Sequence, residues 1–210
     1  MMKRLALLCC ILLLPTIAAA ASTPDANTHY GEFWVGGQLG AVFTLDPSFD
    51  VPVLGTRSVQ VDPAFSAGAI AGYNFCMPHR QVWERYFGVA VDFQWNQFNW
   101  NYDSNLFDVR AKGHQYALSF LGRVQYPLMG SERFTFGRIT PFLMAGPSIV
   151  WTDFGGGRNT NTDIGVVAEL GAEFFVVPHL SIGPSFRYRH VFSDPELDQM
   201  MVLGRVAYHF

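Results

Sequence analysis

The sequence predicts an all-β protein: an eight-stranded antiparallel up-and-down transmembrane β-barrel. Three observations predict it. Apolar residues recur at every second position in eight stretches separated by turn residues. The interleaved positions carry amides, hydroxyls and charges of both signs, with almost no lysine. Aromatic residues gather near the ends of the stretches. Composition agrees: half of the 210 residues are hydrophobic and 15% aromatic, and only 15% are charged, against about a quarter in ordinary soluble domains. The formal net charge of -3 argues against a basic nucleic-acid binder, and so much apolar surface excludes intrinsic disorder.

The first segment reads as an address. Lys3 and Arg4 precede an apolar run from Leu5 to Leu14 and a small-residue exit at Ala18–Ala21, the layout of a secretory signal peptide. We therefore expect residues 1–21 to be cleaved and 22–210 to form one domain, with strands from about residue 30. A lipid anchor at Cys9 or Cys10 is disfavoured because the apolar run continues past both. Both cysteines leave with the signal, so Cys76 has no partner for an internal disulfide.

The eight alternating sets run Phe33–Phe43, Phe65–Phe75, Phe87–Trp95, Tyr116–Tyr126, Ile139–Trp151, Ile164–Val176, Ile182–Tyr188 and Met200–Phe210. Successive side chains of a strand point to opposite faces, so each set defines one oily face and one wet face. Pro141, Pro147 and Pro184 fall inside these sets. Each lacks a ladder donor, so bulges are expected there, with the fifth and seventh strand boundaries the least defined.

A soluble sandwich would show the same alternation with its oily faces turned inward. Charge pairing favours the inverted arrangement. The wet face carries Asp92, Asp163, Glu169 and Glu173 against Arg123, Arg187, Arg189 and Arg205. Buried charges need partners, and a balanced set suits a narrow, water-poor lumen. A solvent-facing surface would use lysine freely, yet Lys112 is the one lysine after the signal, and it is placed in a loop. A sheet in lipid must close on itself to satisfy its backbone.

The connections 44–64, 97–113, 152–162 and 191–198 are polar and rich in Pro, Gly, Asn and Asp. The stretch 177–179 is a tight turn, and 76–85 and 127–138 are of intermediate length. An even strand count places the first group outside the cell and the second in the periplasm.

Two stretches carry a family resemblance: Gly68-Ala69-Ile70-Ala71-Gly72-Tyr73-Asn74-Phe75, and the closing Gly204-Arg205-Val206-Ala207-Tyr208-His209-Phe210. With them the chain resembles the OmpA/OmpX-like small outer-membrane β-barrels of Gram-negative bacteria, over about residues 30–210. The resemblance implies that Val206, Tyr208 and Phe210 form the C-terminal signal read by the outer-membrane assembly machinery; Gly204 is one position from the usual glycine. It also implies outer-membrane lipid and lipopolysaccharide as surroundings.

Chemistry-bearing motifs are sparse. The six histidines (29, 79, 114, 179, 190 and 209) have no second ligand at metal spacing, and Gly155-Gly156-Gly157 lacks the lysine and helix of a phosphate loop. No cofactor or metal is expected. One stretch, Arg187-Tyr188-Arg189-His190-Val191-Phe192-Ser193-Asp194, is similar to the region around the catalytic His-x-Ser of the lipid A deacylases. Here the spacing is His190-x-x-Ser193, which puts the two side chains on opposite faces of an extended strand unless the chain turns between them.

The leading expectation is a non-enzymatic outer-membrane barrel with a structural or surface-interaction role. Its lumen is plugged by paired charges, and its external loops are free to meet a ligand or host surface. Trp100, Tyr102 and Phe107 supply either loop contact points or part of the upper aromatic girdle. The alternatives are a narrow channel for small or hydrophobic solutes and a lipid A-modifying hydrolase.

Overall fold

The protein was described from a computed structural model, which covers residues 31–210 except 46–47, 52–54, 59, 76–85, 105–106, 130–136, 154–159 and 194–195. For 48–51, 55–58, 60–61, 98–104 and 107–112 it describes the backbone alone. The expected signal, Cys76, His29, His79 and Gly155–Gly157 lie outside the described residues, as do the side chains of Trp100, Tyr102 and Phe107.

The chain forms β1 (Gly31–Thr44), β2 (Ser48–Val51), β3 (Gly55–Ser58), β4 (Gln60–Asp62), β5 (Ala64–Phe75), β6 (Phe87–Ser104) and β7 (Phe107–Gln125). It continues with β8 (Ile139–Asp153), β9 (Thr160–Val177), β10 (Leu180–Val191) and β11 (Leu197–His209). The eight long strands pair antiparallel with their sequence neighbours, and β11 pairs with β1, as in Gly37↔Val206. The sheet is a closed eight-stranded barrel, so no edge is left open.

Side-chain parity follows the alternation. Leu39 is 60% exposed beside Gln38 at 1%, and Leu170 is 58% exposed beside Glu169 at 1%. The outer surface is a continuous apolar coat, and the polar residues line the lumen. Aromatic contacts form two belts on the outside of the barrel. At the end bearing Gly31 and Phe210, Phe33 packs on Phe210, Tyr86 on Tyr126 and Tyr208 on Phe210, with ring centres 5.9, 5.5 and 5.0 Å apart. At the opposite end Phe65 and His114 both meet Trp95, and Phe93 meets Tyr116. Amphipathic rings at two levels mark the two interfaces of a bilayer.

The prolines behave otherwise than expected. The β8–β9 ladder runs unbroken through Pro141↔Ala172 and Pro147↔Val166, and the β10–β11 ladder through Pro184↔Gly204. Pairing lapses only on the other side. The β7–β8 ladder skips from Ser119↔Ser148 to Gly122↔Ala145, and β10–β9 skips from Ile182↔Phe174 to Ser185↔Gly171, in unchanged register. Each proline thus directs its missing donor at one neighbour and keeps the other. Pro141 still accepts from the Tyr126 N–H, at 2.9 Å. Gly146 and Gly183 precede two of the prolines and run hard against the partner strand, where an added Cβ would overlap the carbonyl oxygens of Phe120 and Ala172. Close approach replaces the expected bulge. The one register slip in the β10–β9 pair, between Leu180 and Ser181, adjoins the tight turn instead.

The expected loop 97–113 is also corrected. β6 and β7 remain paired up to Ser104↔Phe107, so most of it is a long hairpin, and Lys112 sits within a strand opposite Asn99. The segment 44–64 likewise holds the β2–β3 hairpin and β4, which pairs with β6 through Val61↔Trp100. The seventh strand reaches from Leu180 to Val191, longer at both ends than its alternating set.

Candidate functional site

Among the described residues, the lumen gathers most of the charged side chains. Inward parity on β6, β7, β9, β10 and β11 delivers Asp92, Arg123, Glu169, Glu173, Arg187, Arg189 and Arg205 to it, all almost fully buried. Arg187 is the hub. Its Nη1 donates to Asp92 Oδ2 at 2.7 Å, and its Nε and Nη2 to Glu169 Oε2 at 2.8 and 2.5 Å. Glu169 Oε1 accepts from Arg205 Nη2 at 2.5 Å. Arg123 grips Glu173 through two parallel bonds of 3.0 and 2.7 Å, and Arg205 Nη1 stands 3.6 Å from the same carboxylate. Charge-assisted and bidentate bonds of this kind are the strong ones, and they offset the desolvation of both partners.

Neutral amides knit the ions together. Gln38 donates to Asp92 Oδ1, while Gln94 Oε1 accepts from both Arg187 Nη1 and Arg189 Nη2 at 2.7 Å and its amide donates to Ser66. Apolar residues fill what remains. The guanidinium carbons of Arg123 and Arg205 each lie 4.8 Å from the Phe142 ring centre, and 5.0 and 5.7 Å from that of Trp34. Cations over ring faces gain from the ring quadrupole, more so where water is excluded. Ile70, Leu121, Met144 and Val167 pack around them. Toward the opposite end, Val42, Met201 and Leu203 form one further apolar cluster, and Ala117, Val150, Val191 and Leu197 another.

Two of the eight sequence-predicted charges stand apart. Asp163 faces inward near the outer end of β9, half-buried, and makes no ion pair among the described residues. Arg189 is fully buried and bonds only neutral amides. The buried network therefore joins three arginines to three acids, while Arg189 stands outside it and Asp163 faces inward nearer the mouth.

A second buried cluster was not anticipated. His209, fully buried, has Nε2 2.9 Å from Ser181 Oγ and Nδ1 3.1 Å from Glu32 Oε2, a charge contact that lacks hydrogen-bond alignment. Asn74 joins Glu32 to the Trp34 indole N–H, and the His209 ring lies between Trp34 and Phe175. Its signal in the sequence is parity alone: 209 lies on the face of Arg205, and 32 on the face of Trp34 and Gln38. His190, on the outward face, pairs with Asp198 at 2.8 Å, and the Tyr188 hydroxyl donates to the same oxygen at 2.5 Å. Ser193 lies beyond the end of β10. Among the described residues no group of His, Cys, Asp and Glu could hold a metal, and no helix is long and apolar enough to cross a membrane.

Residues 7–210 match the family model described as outer membrane protein beta-barrel domain. The chain belongs to that family. Solved structures agree with this outer-membrane barrel assignment at the level of fold. Neisserial surface protein A superposes with a TM-score of 0.56 at 15% identity, covering 85% of this chain and 97% of its own. The outer membrane protein OprG from Pseudomonas aeruginosa gives 0.58 at 17%, covering 89% and 99%. Ail, the attachment invasion locus protein of Yersinia pestis, solved in complex with the heparin analogue sucrose octasulfate, gives 0.52 at 12%, covering 87% and 100%. Among curated proteins none matches significantly. For an outer-membrane barrel of this family, the apolar outer coat is the lipid-facing surface.

Proposed function

We propose that this protein is a non-conducting outer-membrane barrel that acts structurally or through surface contacts at the end remote from Phe210. One observation carries the reading. Arg187, Asp92, Glu169 and Arg205 bond to one another from four different strands, with the Arg123–Glu173 pair and Phe142 stacked beside them. Eight strands enclose an interior about wide enough for side chains alone, and these side chains occupy it. Chemistry is then left to the outside. The β6–β7 hairpin extends past the last β7–β8 pair, His114↔Asp153, and the end that carries it is the one we assign to the cell exterior. Tight and intermediate turns fall at the periplasmic end, beside the terminal aromatic strand that we assign to the assembly machinery. Outer-membrane phospholipid and lipopolysaccharide surround the coat.

Planar-bilayer recording tests the plug. The wild-type barrel is expected to give no stepwise current; steady unit conductances would replace this reading with the narrow-channel one. The surface role is tested by trimming residues 99–111. Proteoliposomes bearing the trimmed barrel are expected to fold normally and lose binding to extracellular-matrix or serum proteins that the intact barrel captures.

A further inference from the structure

We infer that one acyl chain of a periplasmic-leaflet phospholipid docks in a groove on the outside of the barrel, between Tyr73 and Phe120. The groove follows from which outward side chains are small. On the outer face one row crosses the strands as Phe33, Tyr73, Val89 and Gly122, and the next as Ala71, Val91 and Phe120. The rings of Tyr73 and Phe120 stand at opposite corners of these two rows. Ala71 and Gly122 hold the other two corners, so a low diagonal runs between the rings across the valines. At Gly122 an added Cβ would meet nothing nearer than the Ala145 carbonyl oxygen, at 3.8 Å. The result is an outward-open groove of about 600 Å³, lined almost wholly by hydrocarbon.

The coat faces lipid, so hydrocarbon covers the groove, and shape and depth decide which. A concave apolar strip forfeits dispersion contacts wherever it is left unfilled. A second barrel presents a convex wall that would bridge the groove, whereas a single flexible chain can lie along its diagonal. Depth selects the leaflet. Gly122 is four residues from Tyr126, roughly 13 Å along the strand, and Tyr126 stacks on Tyr86 in the belt at the Phe210 end. That span is less than half of the roughly 30 Å hydrocarbon core. The groove therefore lies in the leaflet at the end assigned above to the periplasm, and that leaflet of an outer membrane is made of phospholipid. Just past Tyr126, the Leu128 carbonyl accepts from the Arg138 N–H at 2.9 Å, which places the exposed Arg138 on the same rim. A guanidinium there suits a phosphate headgroup.

The inference rests on the periplasmic assignment of the Phe210 end and holds whether or not the lumen conducts. The barrel chain is refolded in detergent with palmitoyl-oleoyl phosphatidylglycerol, and native mass spectrometry follows the lipid retained as detergent is stripped away. Wild type is expected to keep one lipid, and Gly122→Phe, which fills the groove, to lose it. Gly37→Phe, on an open part of the coat where a Cβ meets nothing within 4 Å, is expected to keep it. Equal retention by all three proteins, or none by wild type, overturns the inference. A wild type that retains none yet still inserts into bilayers overturns this site alone and leaves the barrel reading standing. Preferential retention of lipid A in competition overturns the choice of occupant. Should Gly122→Phe fail to fold, wild type is crystallised with the same lipid dibrominated across its double bond. An anomalous bromine peak between Tyr73 and Phe120 is then expected, and its absence overturns the inference.

Discussion

Glu173 holds Arg123 through two parallel bonds of 3.0 and 2.7 Å, and that guanidinium lies over the Phe142 ring. The pair is enclosed, so its two halves are not independent. Removing Glu173 alone leaves Arg123 buried and unpaired, which costs about 3–5 kcal/mol. Glu173→Ala is therefore expected to lower the urea unfolding midpoint in detergent strongly. Glu173→Leu combined with Arg123→Met replaces both charges and should recover much of the loss. A double variant no more stable than the single one would refute the coupling.

Glu169 stands between Arg187 and Arg205, so its loss leaves Arg187 with Asp92 alone and Arg205 with only its 3.6 Å contact to Glu173. Glu169→Ala is expected to destabilise at least as much as Glu173→Ala, by several kcal/mol. The readout is heat-modifiable migration on electrophoresis together with denaturant resistance. Glu169→Gln, which keeps the shape and one acceptor, should fall between the two.

The outward coat predicts a strong asymmetry between neighbours. Leu170, near the middle of β9, faces lipid and is 58% exposed. Leu170→Arg is expected to cost roughly 2–4 kcal/mol in the equilibrium for folding into bilayers, whereas Leu170→Ala costs far less. If that face met water instead of lipid, Leu170→Arg would cost little, as exposed substitutions do.

Gly183 presses against the Ala172 carbonyl, where a Cβ has no room. Gly183→Val must push β10 away from β9 next to Pro184, where the ladder already lacks pairs. The expected result is a reduced folding yield, measured as the heat-modifiable fraction. The outward-facing Gly37, whose Cβ would meet nothing within 4 Å, should tolerate alanine.

His190 receives Asp198 on Nδ1, the orientation a general base needs. Mass spectrometry of lipid A should nonetheless show identical acylation in cells expressing wild type, His190→Ala or no protein. A deacylated species present only with wild type would convert this protein into a hydrolase.

Much of this architecture is legible in the chain because a lipid-facing strand must alternate. Leu39 and Gln38, or Leu170 and Glu169, announce their faces without help from partners. The β6–β7 hairpin is less legible: Asn99, Asn101 and Asp103 read as loop although their backbones pair with β7. Nor does parity say which acid meets which arginine, since that depends on how strands shift around the closed cylinder. Asp163 and Arg189 show the consequence, one left near the mouth and the other among amides. The prolines mislead for a related reason. Composition reveals the lost donor but not which neighbour it faces.

Arg187 and Asp92 are 95 residues apart, and Arg205 reaches Glu169 from the last strand of the chain. Neither contact exists until the final hairpin, β10–β11, is in place, and Gln38 of the first strand joins both arginines only once that hairpin docks there. The interior therefore works as a clasp: a chain lacking its final hairpin holds Asp92 and Glu169 with no arginine to grip. Closure and charge neutralisation become a single event, which makes an incompletely made barrel unstable and open to proteolytic clearance before it can persist as a half-built wall.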